Sequence, residues 1–226
     1  MADQNNIHNI IDLINNNNKI TCTLPSSKKE VKLDRLNINI LEKIDKIFND
    51  EIEAANLFNY YDFLVNIVKE RVQEDLNYTD FVYVLFKLRQ IENDKFEDID
   101  LTAVEPSFSN EVTFDKSNTI KDLNISYTLN YSLPTIQKLQ KLIKICEKDT
   151  KGLLFYTLFK FIDSIQIEVD GNTSTADTIE DLYKVYKVIS YKALDQFGLI
   201  PNKITEELYN LYKINIESDT RFLLSV

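Results

Sequence analysis

Apolar residues recur along this chain with two periods, and each period predicts a kind of element. In "NNIHNIIDLINNNN" (residues 5–18) Ile7, Ile10, Ile11 and Ile14 share one helical face. A helix this short needs something to pack against. "KITCTL" and "EVKLDRL" flank "PSSKK", with Pro25 opening a turn, which predicts a β-hairpin. In its second strand Val31, Leu33 and Arg35 alternate with Lys32, Asp34 and Leu36. Asn37 offers an N-cap to a helix striped by Ile40, Leu41, Ile44, Ile47 and Phe48 and ending near Asn49. Leu57, Phe58, Tyr61, Leu64, Val65, Val68 and Val72 predict a second helix over 53–73. "TDFVYVLFKLRQI" predicts a third over 79–91, with Thr79 as its cap and Asp80 in the acidic first turn. That segment is apolar on most sides and is expected to be the buried centre of this half. The hairpin is expected to pack on these helices as a fixed platform.

Helical periodicity stops over 92–134. In "DLNISYTL" Leu123, Ile125, Tyr127 and Leu129 alternate with polar residues as in a half-buried strand. "IDLTAV" and "EVTF" are its expected partners, giving a small antiparallel sheet between two helical regions. Helices resume after Pro134, with Ile136, Leu139, Leu142, Ile143 and Cys146 on one face. "KGLLFYTLFKFIDSI" reads as one strongly apolar helix and "QIEVDGNTSTAD" as a short strand or loop. "DTIE" has capping-box spacing and opens a helix to about Phe197. Gly198 fits its C-cap, with Pro201 just beyond and a last helix over 204–214. The tail "ESDTRFLLSV" carries apolar residues expected to be exposed. The expected class is α+β, mainly helical, with an N-terminal β-hairpin plus helices, a small central antiparallel sheet and a C-terminal helical region. The segments are 1–92, 93–134 and 135–226, either separate or forming one compact domain.

Composition narrows the chemistry. Three glycines and four prolines are few for a β-sandwich. No two glycines lie close enough for a Rossmann or P-loop pattern. A formal net charge of −10 repels a phosphate backbone, so no nucleic-acid partner is expected. The basic stretch 137–151 spaces Lys138, Lys141, Lys144, Lys148 and Lys151 as on a helix. It reads either as an anion-binding stripe or as a solvated outer face, and the solvated face is the norm. Two cysteines, Cys22 and Cys146, fit a reducing compartment better than a disulfide scaffold. "MADQNNIHNI" has neither a charged n-region nor an apolar h-region, so no secretory leader is expected. The apolar run 152–162 is interrupted by Lys160 and is too short for a membrane span.

Candidate chemistry is sparse. His8 is the single histidine, and with two distant cysteines it forms no metal-ligand spacing. "ENDKFEDIDL" lacks the central glycine of a Ca²⁺ loop and reads as a solvated acidic loop. No base accompanies a Ser or Cys nucleophile, and no pair of carboxylates is singled out. Cys146 fits a small core residue. Tyr183, Tyr186, Tyr191, Tyr209 and Tyr212 gather towards the C-terminus, where Tyr enrichment can mark an interface. No catalytic, cofactor-binding or metal residue is therefore predicted. No cofactor, small-molecule substrate or membrane is expected, and the oligomeric state is left open. Binding to other proteins is favoured over enzymatic activity.

Two stretches resemble a known family. "LPSSKKEVKLDRLNINILEKI" (24–44) resembles the N-terminal signature of the baseplate hub and hub-assembly proteins of T-even-type contractile-tailed phages. In that family a Leu-Pro-Ser turn leads into a strand and then a helix. "LNYTDFVYVLFKLRQI" (76–91) resembles its second block, through Thr79, Asp80, Leu88 and Arg89. More loosely, residues 181–204 look like its last helical region, while 92–134 matches nothing in it. The resemblance implies a hub subunit or an assembly factor that binds other phage tail proteins and is not an enzyme. It would sit in the virion tail baseplate, or in the host cytoplasm during assembly. The alternatives are a non-viral adaptor binding through the Tyr-rich helices and a carboxylate-dependent enzyme.

Overall fold

The computed structural model describes residues 19–36, 54–149 and 152–215, with positions 40, 42, 43, 46, 47 and 223. The fold is α+β and mainly helical. It opens with β1 (Lys19–Thr23) and β2 (Glu30–Asp34), paired antiparallel so that Ile20 faces Leu33 and Cys22 faces Val31. Alternation sends Cys22 and Leu33 into the core and leaves Lys19 opposite Asp34 outside. Lys28 takes a left-handed φ of 59° to close the connecting turn. Positions 40, 42, 43, 46 and 47 are helical, and Ile40 and Ile47 pack against the core. The Asn5–Asn18 stripe, Asn37, and the Leu41, Ile44 and Phe48 positions lie outside the described residues.

Helix α1 (Ala54–Arg71) lies beside the hairpin. Helix α2 (Tyr78–Glu92) is buried from Tyr78 through Phe86 without a gap, as its all-round apolar pattern predicts. Its cap is Asn77 rather than Thr79, since the Asn77 side chain accepts the Asp80 N–H at 3.0 Å. Thr79 is instead buried and meets the Tyr212 hydroxyl at 3.4 Å.

The middle of the chain departs from expectation. "IDLTAV" pairs only through β4 (Ile99–Asp100) with β3 (Lys95–Phe96), then turns into the short helix α3 (Leu101–Val104). Asp100 forces that change by capping the Thr102 N–H at 2.9 Å. A 3-10 turn (Glu105–Ser109) follows, and "EVTF" forms no strand. The strand that pairs with β6 (Ile125–Tyr131) is β5 (Ser117–Asp122), polar except for a single buried Ile120. Leu123 belongs to the tight β5–β6 turn, at φ 55°, not to the strand face.

After α4 (Ile136–Cys146) the apolar run divides. Helix α5 (Gly152–Phe159) ends, and Ile162 begins strand β7 (Ile162–Val169), followed by β8 (Asn172–Ala176). The sheet order is β5-β6-β7-β8, all antiparallel. The sheet is thus not confined to 93–134: β7 and β8 come from the C-terminal segment, where residues 166–177 are expected as a short strand or loop and only the start of β7 falls in the expected apolar helix. Alternation explains the strand from Ser164 on, where Ile165, Ile167 and Val169 are less exposed than Gln166 and Glu168, and a register shift opposite Asn130 and Tyr131 lets Ile162 be buried as well.

The expected helix to Phe197 is two helices, α6 (Ile179–Val188) and α7 (Tyr191–Phe197). Thr178, one residue later than expected, caps α6 by accepting the Asp181 N–H. Ser190 breaks the run and caps α7 through the Ala193 N–H at 3.1 Å. Gly198 closes α7, and Pro201 lies inside the first turn of α8 (Leu199–Tyr212), where its missing N–H costs nothing. Helix α8 returns to the first half: Tyr212 stacks on Phe108 with ring centroids 4.2 Å apart. Leu223, from the tail expected to be exposed, is buried.

Candidate functional site

The strongest polar constellation is built on α2. Among the described residues, Asp80 and Arg89 are two of the few charged side chains buried in the protein. A buried charge must find partners of opposite polarity. Asp80, 1 % exposed, accepts the Ser26 N–H at 2.8 Å and the Ser27 N–H at 3.1 Å. These amides belong to the turn between β1 and β2, where Leu24 N–H also donates to Lys29 O at 2.8 Å. Arg89 does the converse at the other end of the helix, donating to Asn93 O at 3.3 Å and Lys95 O at 2.9 Å. The acid thus holds backbone donors and the base holds backbone acceptors, one turn at each end of the most buried helix.

Further ties fix the hairpin to the helices. Lys29 pairs with Glu74 at 2.5 Å, Arg35 with Glu92 at 3.1 Å, and the Arg71 Nε donates to Asp34 O at 2.9 Å. The hairpin therefore packs on α1 and α2 as a fixed platform. Beneath it, Glu105 accepts from Tyr83 and Lys87, each at 2.9 Å, and from Gln90 at 3.1 Å. Burial pushes the Glu105 carboxyl up, yet the donors Lys87, Gln90 and Tyr83 outweigh it and hold the group below its ordinary value. Burial, with the Glu105 bond second, pushes the Tyr83 phenol well up. An ionised acid saturated with donors and a phenol that resists ionisation act as a structural clamp. Two open clefts meet at Pro25, Phe108 and Ser109 beside the turn.

A second feature is an apolar corner. Ser190 Oγ donates to Asp122 Oδ2 at 2.5 Å, tying the α6–α7 break to the end of β5. Flanking this contact are Leu123, Val188 and Tyr191, exposed by 96 %, 83 % and 84 %. Three large apolar side chains thus stand exposed next to the two ends of this contact.

The expected tyrosine cluster is not one surface. Tyr186 and Tyr212 are core residues and Tyr183 is half-buried, donating to Asp149 at 2.5 Å. Tyr191 and Tyr209 are exposed. Lys141, Lys144 and Lys148 form an outer face, but Lys138 turns in to Ile162 O and Asp163, each at 2.9 Å; Lys151 lies outside the described residues. Both cysteines are buried and free. Burial pushes the thiol of Cys22 to about 11 and that of Cys146 to about 12. Among the described residues no three His, Cys, Asp or Glu side chains gather as a metal site. His8 lies outside them. No described helix is long and apolar enough to cross a membrane.

Sequence reasoning placed Asp80 in an acidic first turn but missed its partner, the turn of residues 25–27. The available signal was a carboxylate on a helix with no polar face to hold it. No family model matches the chain, and neither a curated protein nor a solved structure does.

Proposed function

We propose that the chain is a structural or assembly protein of the baseplate hub of a contractile phage tail, acting through contacts with other tail proteins. The observation that carries this reading is the Asp80 contact. The two stretches that resemble the hub family lie far apart in sequence, and the acid of the second holds the Leu-Pro-Ser turn of the first at 2.8 and 3.1 Å. The two similar stretches are thereby joined by part-buried hydrogen bonds, which supports reading them as one unit. The apolar corner of Leu123, Val188 and Tyr191 adds a surface suited to a protein partner.

The test deletes the gene from the genome that encodes the chain and follows tail formation by electron microscopy and mass spectrometry. A hub subunit is found in finished particles. An assembly factor is found only in tail intermediates, yet tails fail without it. Normal tails after deletion, with the protein in neither fraction, would refute the proposal. Tail genes beside this one would also separate it from a non-viral adaptor.

A further inference from the structure

Two helical walls flank an open groove. On α1, Asn59, Phe63, Asn66, Ile67 and Glu70 share one helical face, so this wall runs along about 17 Å of helix. The facing wall carries Ile40, Lys43, Lys46 and Ile47. Ile40, Ile47 and Phe63 pack against the core yet stay only half-buried among the described residues. An apolar strip between polar rims suits one face of an amphipathic helix. The sequence holds such a face in Ile7, Ile10, Ile11 and Ile14, and a helix that short needs a surface to stand on.

We propose that residues 7–14, which lie outside the described residues, dock in this groove as a helix, with the isoleucine stripe down on Ile40, Ile47, Phe63 and Ile67. Connection selects this occupant. Strand β1 begins at Lys19, paired with Asp34, whose carbonyl accepts from Arg71 at 2.9 Å. Arg71 stands one turn past Ile67 on α1, so the chain ahead of Lys19 starts at the Glu70 end of the groove. From Lys19 back to Ile14 the chain reaches at most about 18 Å. A helix from Ile7 to Ile14 is about 11 Å long and fits within the wall. So short a tether holds the segment at an effective concentration on the order of millimolar. Charge agrees. The α1 wall holds the acids Asp62 and Glu70, where Asp62 already accepts from Asn66 at 2.8 Å, while the facing wall presents Lys43 and Lys46. Asp12 is the single acid of residues 5–18, which hold no Lys or Arg, and the two lysines attract it. Docking covers the half-buried apolar strip and gives the chain ahead of the hairpin a fixed place.

Paramagnetic broadening in the full chain tests this. Asn66→Cys takes a nitroxide label on the α1 wall and Lys43→Cys takes one on the facing wall; both positions are exposed, and the native Cys22 and Cys146 are buried. With either label the methyl signals of Ile7, Ile10, Ile11 and Ile14 should be lost, and reducing the nitroxide should return them. Ile10→Asp with Ile11→Asp sets charges against the apolar strip and should restore the Ile7 and Ile14 signals with the label still in place. Circular dichroism and thermal melting check the fold of each labelled chain, and the two label sites keep the test open where one of them disturbs it. A mixture of labelled, unenriched chain with unlabelled, isotope-enriched chain separates docking within a chain from docking between copies. Signals that survive both labels overturn the proposal. So does a loss that the double-aspartate change leaves in place, or a loss of equal extent in the mixture.

Discussion

Replacing Asp80 with alanine removes the acceptor of two turn amides in one step. Hydrogen bonds to a charged group contribute about 1.5–3 kcal/mol each, so the gross loss is about 3–6 kcal/mol. Ser26 and Ser27 are exposed residues, and water can reach their freed N–H groups. That recovers part of the loss and leaves about 2–4 kcal/mol of destabilisation. Asp80→Asn keeps one acceptor oxygen for the Ser26 N–H but turns an amide donor towards the Ser27 N–H. Its cost falls to about 1–3 kcal/mol, smaller than that of alanine. Urea denaturation measures both, as a lowered midpoint with unchanged slope. Hydrogen exchange localises the effect: the amides of Ser26 and Ser27 should lose protection first. Lys29→Ala, which breaks the exposed Lys29–Glu74 pair, is the control and should cost under about 1 kcal/mol. An Asp80→Ala protein within about 0.5 kcal/mol of the parent would refute the reasoning, as would parental exchange at the two serines.

Leu85 is fully buried in α2, so Leu85→Asp strands an unpaired charge there; circular dichroism should show an unfolded N-terminal half, and a soluble, cooperatively melting variant would contradict the core. A Cβ on Gly152 would lie 2.1 Å from the Cys146 carbonyl oxygen, so Gly152→Ala must move backbone and should cost about 1–3 kcal/mol by urea denaturation. Burial holds the Cys22 thiol at about 11, and the Cys146 thiol and Tyr131 phenol at about 12. Each stays neutral in the fold at a pH where the unfolded chain has already ionised it. Their contribution is whole below the unfolded thiol value of 9.0 and is lost as pH rises towards 12, so the urea midpoint should fall steadily over that range.

Local pattern carried the reading as far as local pattern reaches. The all-round apolar α2 and the alternation of Ile125, Tyr127 and Leu129 were legible because burial and period agree there. The first half of strand β7 was not, because Lys160 and Phe161 join it to α5 with neither glycine nor proline to mark the change. Strand β5 hid behind its polar composition: an edge strand with one buried residue leaves almost no periodic signal. Ser190 was a readable sign, since a serine within a helical run often caps a new helix. The Asp80 contact spans 54 residues, and nothing local encodes which amides a buried acid will meet. The apolar corner depends on the same kind of long-range meeting, between Asp122 and Ser190.

The proposed role in tail assembly is tested most directly by purifying tail intermediates and finished particles from the parent and from the deletion strain and weighing their proteins by mass spectrometry. The account predicts that the chain co-purifies with hub components in the parent and that baseplates are missing in the deletion strain. Complete baseplates formed without the chain would contradict it.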